Sequence, residues 1–224
     1  MSIIKRGFIY ALSDIHFHTL SNFSSDIEHS IKTSSAEYIA HLEAISENYK
    51  DDNLEMFWEY NIDQVNDLRY EYPTLLRSSV LISCYSNLEK TMVNFHEDLK
   101  LKTGLSLNYN NRRFSRRSTI EKVLESLQES IPLPNSSGSI EWTNILFYKS
   151  LRNKVVHDLG KINKRKDRAL LNQIEQSSFV SVNEINTITF NEHFSEKVIT
   201  DCRNFIDLLY TDIKLYTDSL RPSS

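Results

Sequence analysis

Residues that interrupt helices are scarce in this sequence, and this feature narrows the possible folds more than any other. The 224 residues include 4 Gly and 4 Pro, far below the usual share of a globular protein. Between them, long stretches carry apolar side chains three and four positions apart, which is the spacing of one helix face. We therefore expect a mainly all-α fold, namely an antiparallel helical bundle with an N-terminal helical extension and one small β-hairpin.

The same periodicity predicts where the elements lie. Residues 1–12 fit a short strand or an extended arm, and alternation across Val182 and Asn183 predicts the hairpin. We divide the chain into an N-terminal arm with an acidic helical extension, 1–72, and a helical bundle, 73–224. The predicted helices cover residues 24–72 in one piece or two, 74–102, 119–131 with a capping box at Ser118 and Glu121, 139–160, 168–176 and 191–220.

Charge is distributed unevenly along the chain. Residues 1–99 carry a net charge of −9 and residues 169–224 carry −4, whereas residues 100–168 carry +9. Clustered positive charge is expected where a protein contacts phosphate, although a solvated basic loop gives the same pattern. The candidate RNA-binding residues of this basic part are Arg112, Arg113, Arg116 and Arg117 around Phe114, together with Lys154, Lys161, Lys164 and Arg165.

Patterns for export or membrane insertion are not found in the sequence. The N-terminus lacks the basic and apolar regions of a signal peptide, and no apolar run reaches the roughly 18 residues of a membrane span. Cys84 and Cys202 stand alone in helical apolar patterns, so we expect reduced thiols in the core. These features predict a cytoplasmic protein without membrane contact.

Polar residues interrupt the apolar stretch that ends at Gly160. Arg152, Asn153 and His157 are spaced R-N-x-x-x-H. Asn153 and His157 are four positions apart and share a helix face, whereas Arg152 lies to the side, so the three would meet most easily in a cleft between helices or subunits. Because this helix is apolar on two sides, we expect one side to face its own bundle and the other a second copy of the chain.

A second motif lies near the N-terminus. Asp14, His16 and His18 alternate in L-S-D-I-H-F-H-T, and on a strand they would point the same way. This piece resembles the opening motif of the PHP and amidohydrolase phosphoesterases, which implies a metal-dependent phosphoesterase. Those families need a β/α barrel and further ligands, whereas strand patterns are almost absent here. We therefore expect no metal and no other cofactor.

The R-N-K-V-V-H run follows an earlier predicted helix that carries a carboxylate, Glu89, in Y-S-N-L-E. Together these features resemble the HEPN superfamily of small α-helical proteins. The resemblance covers roughly residues 74–220 and implies a homodimer that brings two motifs into one cleft. Many members are metal-independent ribonucleases. Within the superfamily, this chain looks most like the stand-alone proteins of bacterial defence and toxin–antitoxin loci. This resemblance implies a cognate antitoxin or sensor protein as a partner. The alternative is a non-catalytic HEPN-type dimerisation or nucleotide- or RNA-binding module.

The residues of the motif have plausible roles in RNA cleavage. RNA carries its own nucleophile, the 2′-OH. The imidazole of His157 can exchange protons near neutral pH, and the guanidinium of Arg152 can stabilise charge on the phosphate. Asn153 would orient the imidazole or the ribose, and Glu89 would hold Arg152. The expected products carry 2′,3′-cyclic phosphate and 5′-OH ends. HEPN toxins that are controlled by nucleotidylation have Tyr two positions after the His, where this chain has Leu159.

Overall fold

Helices make up most of the structure, a computed structural model that describes residues 7–220. The predicted mainly all-α fold class is confirmed, as are the helices predicted after residue 73. A break at residues 47–51 divides the predicted helix 24–72. In chain order the elements are α1 (Phe8–Ser46), α2 (Asp52–Asn66), a π-helical segment (Asp67–Glu71), α3 (Tyr72–Thr103), a 3-10 turn (Arg112–Phe114), α4 (Thr119–Gln128), α5 (Ile140–Asp158), α6 (Arg168–Glu175), β1 (Val180–Val182), β2 (Ile188–Phe190) and α7 (Phe194–Ser219).

The start of α1 differs from the prediction. Residues 8–12 are helical, so the strand or extended arm is wrong for them, and residues 1–6 lie outside the described part. Tyr10 and Phe17 are buried, and their spacing of seven places both on one side of a helix. Tyr10 donates a hydrogen bond to Asp207 of α7. Packing against α7 therefore selects a helix where the local apolar pattern fitted a strand equally well.

Antiparallel pairs of helices build the bundle. Ser13 in α1 accepts a hydrogen bond from Asn87 in α3 (3.2 Å). Glu28, which follows Ser13 along α1, pairs with Arg77, which precedes Asn87 along α3 (2.6 Å). α1 therefore runs antiparallel to α3. The rings of α5 and α7 contact one another in the same reversed order, since Trp142 stacks on Phe205 at 5.2 Å and Tyr148 meets Phe194 at 6.3 Å.

The expected boundary between residues 72 and 73 falls inside a continuous helical run. Pro73 cannot donate a backbone hydrogen bond, and its ring crowds the carbonyl four residues earlier. The wider turn of the segment Asp67–Glu71 precedes it, and the Tyr72 N–H donates to the Asp67 carbonyl five residues back. Since residues of α1 also share the core with α3 and α7, the N-terminal part is packed on the bundle. The division of the chain into residues 1–72 and 73–224 stays a prediction.

The centre of the core lies between α3, α5 and α7. Leu88, Leu151 and Phe205, one from each helix, are fully buried. Cys84 and Cys202 are free and buried, as predicted. Burial raises the pKa of both thiols, so they remain protonated.

The hairpin anchors the end of α5. The predicted hairpin is present, with Val180 paired to Phe190 and Val182 to Ile188, but its turn spans residues 183–187 and is longer than expected. Within this turn, Asn186 adopts a positive φ of 57° and donates its N–H to the Asn183 carbonyl (2.9 Å). The Ile188 N–H donates to the Gly160 carbonyl (2.9 Å), and the Ile162 N–H donates to the Asn186 carbonyl (2.8 Å). The chain that leaves α5 is therefore tied to the hairpin.

Candidate functional site

Local signals at both ends of α5 position the R-N-x-x-x-H residues in its last turns. Ser139 caps the helix start, since its hydroxyl accepts a hydrogen bond from the Trp142 N–H (3.1 Å). At the other end, Leu159 and Gly160 adopt positive φ values of 51° and 74°, and the Gly160 N–H donates to the Lys154 carbonyl (2.9 Å). This left-handed ending stops the helix at Asp158, one residue after His157.

The loop before α5 is held by a buried carboxylate of α7. Asp212 accepts hydrogen bonds from the Ser136 N–H (2.9 Å), the Ser136 hydroxyl (2.7 Å) and the Asn135 side-chain amide (2.6 Å). Ser136 and Asp212 are 0% and 1% exposed. The start of α5 is therefore fixed to α7, and the position of the motif follows from it.

Arg152 lies half-buried over the ring of Tyr85, with the guanidinium carbon 5.8 Å from the ring centroid. One terminal nitrogen donates to the side-chain oxygen of Asn153 (3.2 Å), while Nε is buried without a hydrogen-bond partner. Within residues 7–220, no carboxylate forms an ion pair with this guanidinium. Within residues 7–220, the charge of Arg152 is therefore not balanced by a paired carboxylate, and some of its N–H donors are unused.

The expected contact between Glu89 and Arg152 is not formed in the described part of the chain. Glu89 lies one turn after Tyr85 on α3, and the charges of Glu89 and Arg152 have opposite effects on the pKa of Tyr85. Burial raises the pKa of the Tyr85 phenol and the Glu89 carboxylate raises it further, while a hydrogen bond from Ser118 and the charge of Arg152 oppose the shift. Tyr85 stays protonated and supplies a neutral aromatic support beneath Arg152.

Asn153 and His157 line one cleft, as their spacing predicted. The cleft has a volume of about 360 Å³, lies between the last turns of α5 and the helix α6, and is also lined by Lys166 and Gln173. His157 is exposed. Asn153 therefore links the two outer members of the motif, because it is hydrogen-bonded to Arg152 and shares the cleft with His157.

Several of the predicted RNA-binding side chains are engaged within the protein. Lys154 lies between Asp167 (2.8 Å) and Asp158 (3.0 Å). The hydrogen bond to Asp167, together with that to Asp158, raises its pKa, while burial has a smaller opposing effect. A lysine between two carboxylates offers little net charge to phosphate.

The arginine cluster before α4 is also partly neutralised. Arg113 pairs with Glu129, and Arg117 pairs with Glu125 at 2.9 Å. Phe114 is only 5% exposed and lies under Arg113 (4.6 Å), so its ring offers no open face on which a base could stack. The predicted basic residues that are exposed and have no ion pair within residues 7–220 are Arg112, Arg116, Lys161, Lys164 and Arg165.

The D-x-H-x-H piece is part of α1, so the predicted common strand face is wrong. On a helix, residues two apart diverge by about 200°. His16 and His18 are exposed, and Asp14 pairs with Arg203 of α7 (2.7 Å). Across residues 7–220, no group of three or more His, Cys, Asp or Glu side chains is arranged to hold a metal ion.

Sequence reasoning missed the support around Arg152. Tyr85 is four positions before Glu89, a spacing that places the two residues on one face of α3.

The predicted capping box is present at α4, where Glu121 accepts from the Ser118 N–H (2.9 Å) and also from Lys149 of α5 (3.0 Å). Burial raises the pKa of Glu121, but these hydrogen bonds outweigh it and hold the pKa below its usual value.

Comparison with protein-family models, with curated proteins and with solved structures gives no match to this chain. No helix of residues 7–220 combines the length and apolar character needed to cross a bilayer. The side chains of Arg152, Asn153 and His157 are therefore the features from which a function can be inferred.

Proposed function

We propose that this protein is a metal-independent endoribonuclease of the HEPN type. The observation that carries the proposal is the state of Arg152. No carboxylate pairs with it in the described chain, its Nε has no partner, and it is hydrogen-bonded to Asn153, which shares an open cleft with His157. Within residues 7–220, Arg152 is not among the residues that line this cleft, but its hydrogen bond to Asn153 connects it to the cleft. A guanidinium with unused donors in this position suits a phosphodiester, since one guanidinium can bind two phosphate oxygens.

The proposed reaction is attack of the ribose 2′-oxygen on the neighbouring phosphorus. The proton of the 2′-OH passes to a neutral imidazole, the bond from the 2′-oxygen to phosphorus forms, and the bond from phosphorus to the 5′-oxygen breaks. The 5′-oxygen takes its proton from a protonated imidazole. Arg152 stabilises the extra negative charge on the phosphate in the transition state. The products carry 2′,3′-cyclic phosphate and 5′-OH ends.

A homodimer is part of the proposal, because one step removes a proton and another supplies one. A second copy would offer a second imidazole. The surface around His157 supports this arrangement, since Val156 is 40% exposed and Leu159 is 83% exposed on the same end of α5. Exposed apolar side chains beside a polar site are typical of an interaction surface. By its resemblance, we also propose a role in bacterial defence or toxin–antitoxin systems with an antitoxin or sensor partner.

The test is cleavage of a 5′-labelled RNA in the presence of EDTA. Wild-type protein is expected to cut. His157→Ala and Arg152→Ala are each expected to reduce the rate by about 100-fold or more, the usual contribution of a general acid–base group and of a group that stabilises transition-state charge, respectively. His18→Ala is the matched control, since His18 is an exposed histidine on α1 outside the cleft. Equal rates for wild type and both motif variants would contradict the proposal.

One observation favours the alternative, a non-catalytic HEPN-type RNA-binding or dimerisation module. Within residues 7–220, His157 has no hydrogen-bond partner that orients its imidazole. A binding module would show the same RNA affinity in wild type and His157→Ala, and neither protein would cleave the RNA.

A further inference from the structure

A second cavity lies beside the His157 cleft, and the two share the side chain of Gln173. This cavity has a volume of about 280 Å³ and opens between α5, the end of α6 and the start of α7. Ligand sites for drug-sized molecules usually measure about 300–1,000 Å³. A volume just under that range matches one planar ring system and is too small for two nucleotides.

The lining of this cavity combines aromatic rings with amides, hydroxyls and one lysine. Phe147 and Phe179 are half-buried and line it together with Gln173, Gln176, Ser178 and Lys197. Aromatic side chains bind any nucleobase by stacking, and side-chain amides both donate to and accept from base edges. The chemistry is therefore that of a nucleobase site.

A buried carboxylate fixes one wall of the cavity. Asp201 is 4% exposed and accepts hydrogen bonds from the Asn144 amide (2.9 Å), the Tyr148 hydroxyl (2.6 Å) and Lys197 (2.7 Å). Because the Asn144 amide nitrogen is bound in this way, its orientation is set and its oxygen remains an acceptor. Burial, together with the Asp201 carboxylate, raises the pKa of Tyr148, so that its hydroxyl remains a donor.

The cavity and the His157 cleft follow one face of α5. Phe147, Ser150, Asn153 and His157 are spaced by three, three and four positions, which keeps them on one side of the helix. With a rise of about 1.5 Å per residue, Phe147 and His157 lie about 15 Å apart along the axis. A nucleic-acid strand advances about 3.4 Å per stacked nucleotide, so about four nucleotides span this distance and fewer suffice when the strand is extended.

We propose that the cavity lined by Phe147, Gln173 and Gln176 is a nucleobase subsite that holds one base of the RNA strand within a few nucleotides of the bond at the His157 cleft. This inference rests on the proposed ribonuclease function and deepens it. It makes α5 and α6 the two walls of a track for single-stranded RNA. The subsite would set the sequence preference of cleavage, whereas Arg152 and His157 act on the backbone.

The experiment measures binding and cleavage separately. Binding of fluorescent tetra-adenylate, tetracytidylate and tetrauridylate RNA is measured by anisotropy in a His157→Ala background, where the RNA stays intact. Phe147→Leu, which removes the ring face but keeps an apolar side chain, is expected to weaken binding about 5- to 150-fold. Gln173→Ala is expected to reduce discrimination among the three sequences. Phe23→Leu is the matched control, because Phe23 is an exposed phenylalanine of α1.

Cleavage kinetics give the second readout. In the active protein, Phe147→Leu is expected to raise KM by a similar factor with little change in kcat. Cleavage that depends on His157, with wild-type KM and base preference in Phe147→Leu, Gln173→Ala and Gln176→Ala, would overturn the subsite and leave the nuclease. Binding that depends on Phe147, without cleavage by the wild type, would support the subsite and overturn the nuclease. Gln173 and Gln176 are exposed, so these two variants keep the test valid if Phe147→Leu does not fold.

Discussion

Replacement of Asp212 by Ala should lower the urea concentration at the midpoint of unfolding substantially. The carboxylate accepts from the Ser136 N–H (2.9 Å) and the Ser136 hydroxyl (2.7 Å), and both residues are almost fully buried. Each buried donor left without a partner costs about 1–3 kcal/mol. The bonds from Asn135, an exposed residue, are replaced by water at little cost. Two such donors lose their acceptor, so we expect Asp212→Ala to lower the free energy of unfolding by about 2–6 kcal/mol.

Urea unfolding followed by circular dichroism at 222 nm measures this change. Asp212→Asn keeps one acceptor oxygen and should lose about half as much free energy. Thr211→Ala is the control on the same helix, since Thr211 is exposed and its hydroxyl donates to the Asp207 carbonyl of the same helix (2.8 Å). We expect a change within about 0.5 kcal/mol. A loss below about 1 kcal/mol for Asp212→Ala, with an unchanged denaturant slope, would refute the claim that this carboxylate holds the loop before α5.

Three further predictions concern stability. Burial is the main cause of the lowered pKa of His96, which stays neutral in the folded state while the unfolded chain takes up a proton near pH 6.5. Below that pH the unfolded state thus binds more protons than the folded state. The free energy of unfolding should therefore fall on acidification by up to about 1.4 kcal/mol per pH unit, until the pH passes the pKa of His96 in the folded state. His96→Gln should reduce this pH dependence, as measured by urea titrations from pH 7 to pH 5. Ser118→Ala removes the capping box of α4 and should cost about 1 kcal/mol, measured by thermal unfolding, and no change in Tm would count against the cap. Gly160→Ala places a methyl group at φ 74° and 3.4 Å from Thr187 Cγ2, so it should cost about 1–2 kcal/mol. Gly138→Ala should cost less, because its added methyl group meets no atom of residues 7–220 within 4 Å, and equal losses would contradict the role of the Thr187 contact.

Local sequence signals were sufficient for the helices that carry the site. The capping residues Ser118 and Ser139 and the stop at Gly160 act within a few positions of the ends that they define. The start of α4 and both ends of α5 were therefore predictable, whereas α4 ends three residues before its predicted end. Residues 8–12 were not, because their apolar pattern fits a strand or a helix and only contact with α7 selects the helix.

The candidate site was predictable in position but not in its contacts. The spacing of Asn153 and His157 placed both on one face, and they line one cleft. The ring of Tyr85 beneath Arg152 comes from a different helix. The engagement of Lys154 by Asp167 depends on how the loop after α5 folds back. Such long-range distances are set by the packing of α3, α5 and α6, and no residue spacing encodes them.

The end groups of cleaved RNA test the central claim most directly. An oligonucleotide with a single mapped cleavage site is incubated with the protein in EDTA, and the products are identified by mass spectrometry. A matched oligonucleotide has a 2′-deoxy sugar at the nucleotide before the cut. If Arg152 and His157 promote attack by the 2′-OH, the RNA yields 2′,3′-cyclic phosphate and 5′-OH ends, and the 2′-deoxy oligonucleotide stays intact. Cleavage of the 2′-deoxy oligonucleotide at the same bond, or products with 5′-phosphate ends, would contradict the account.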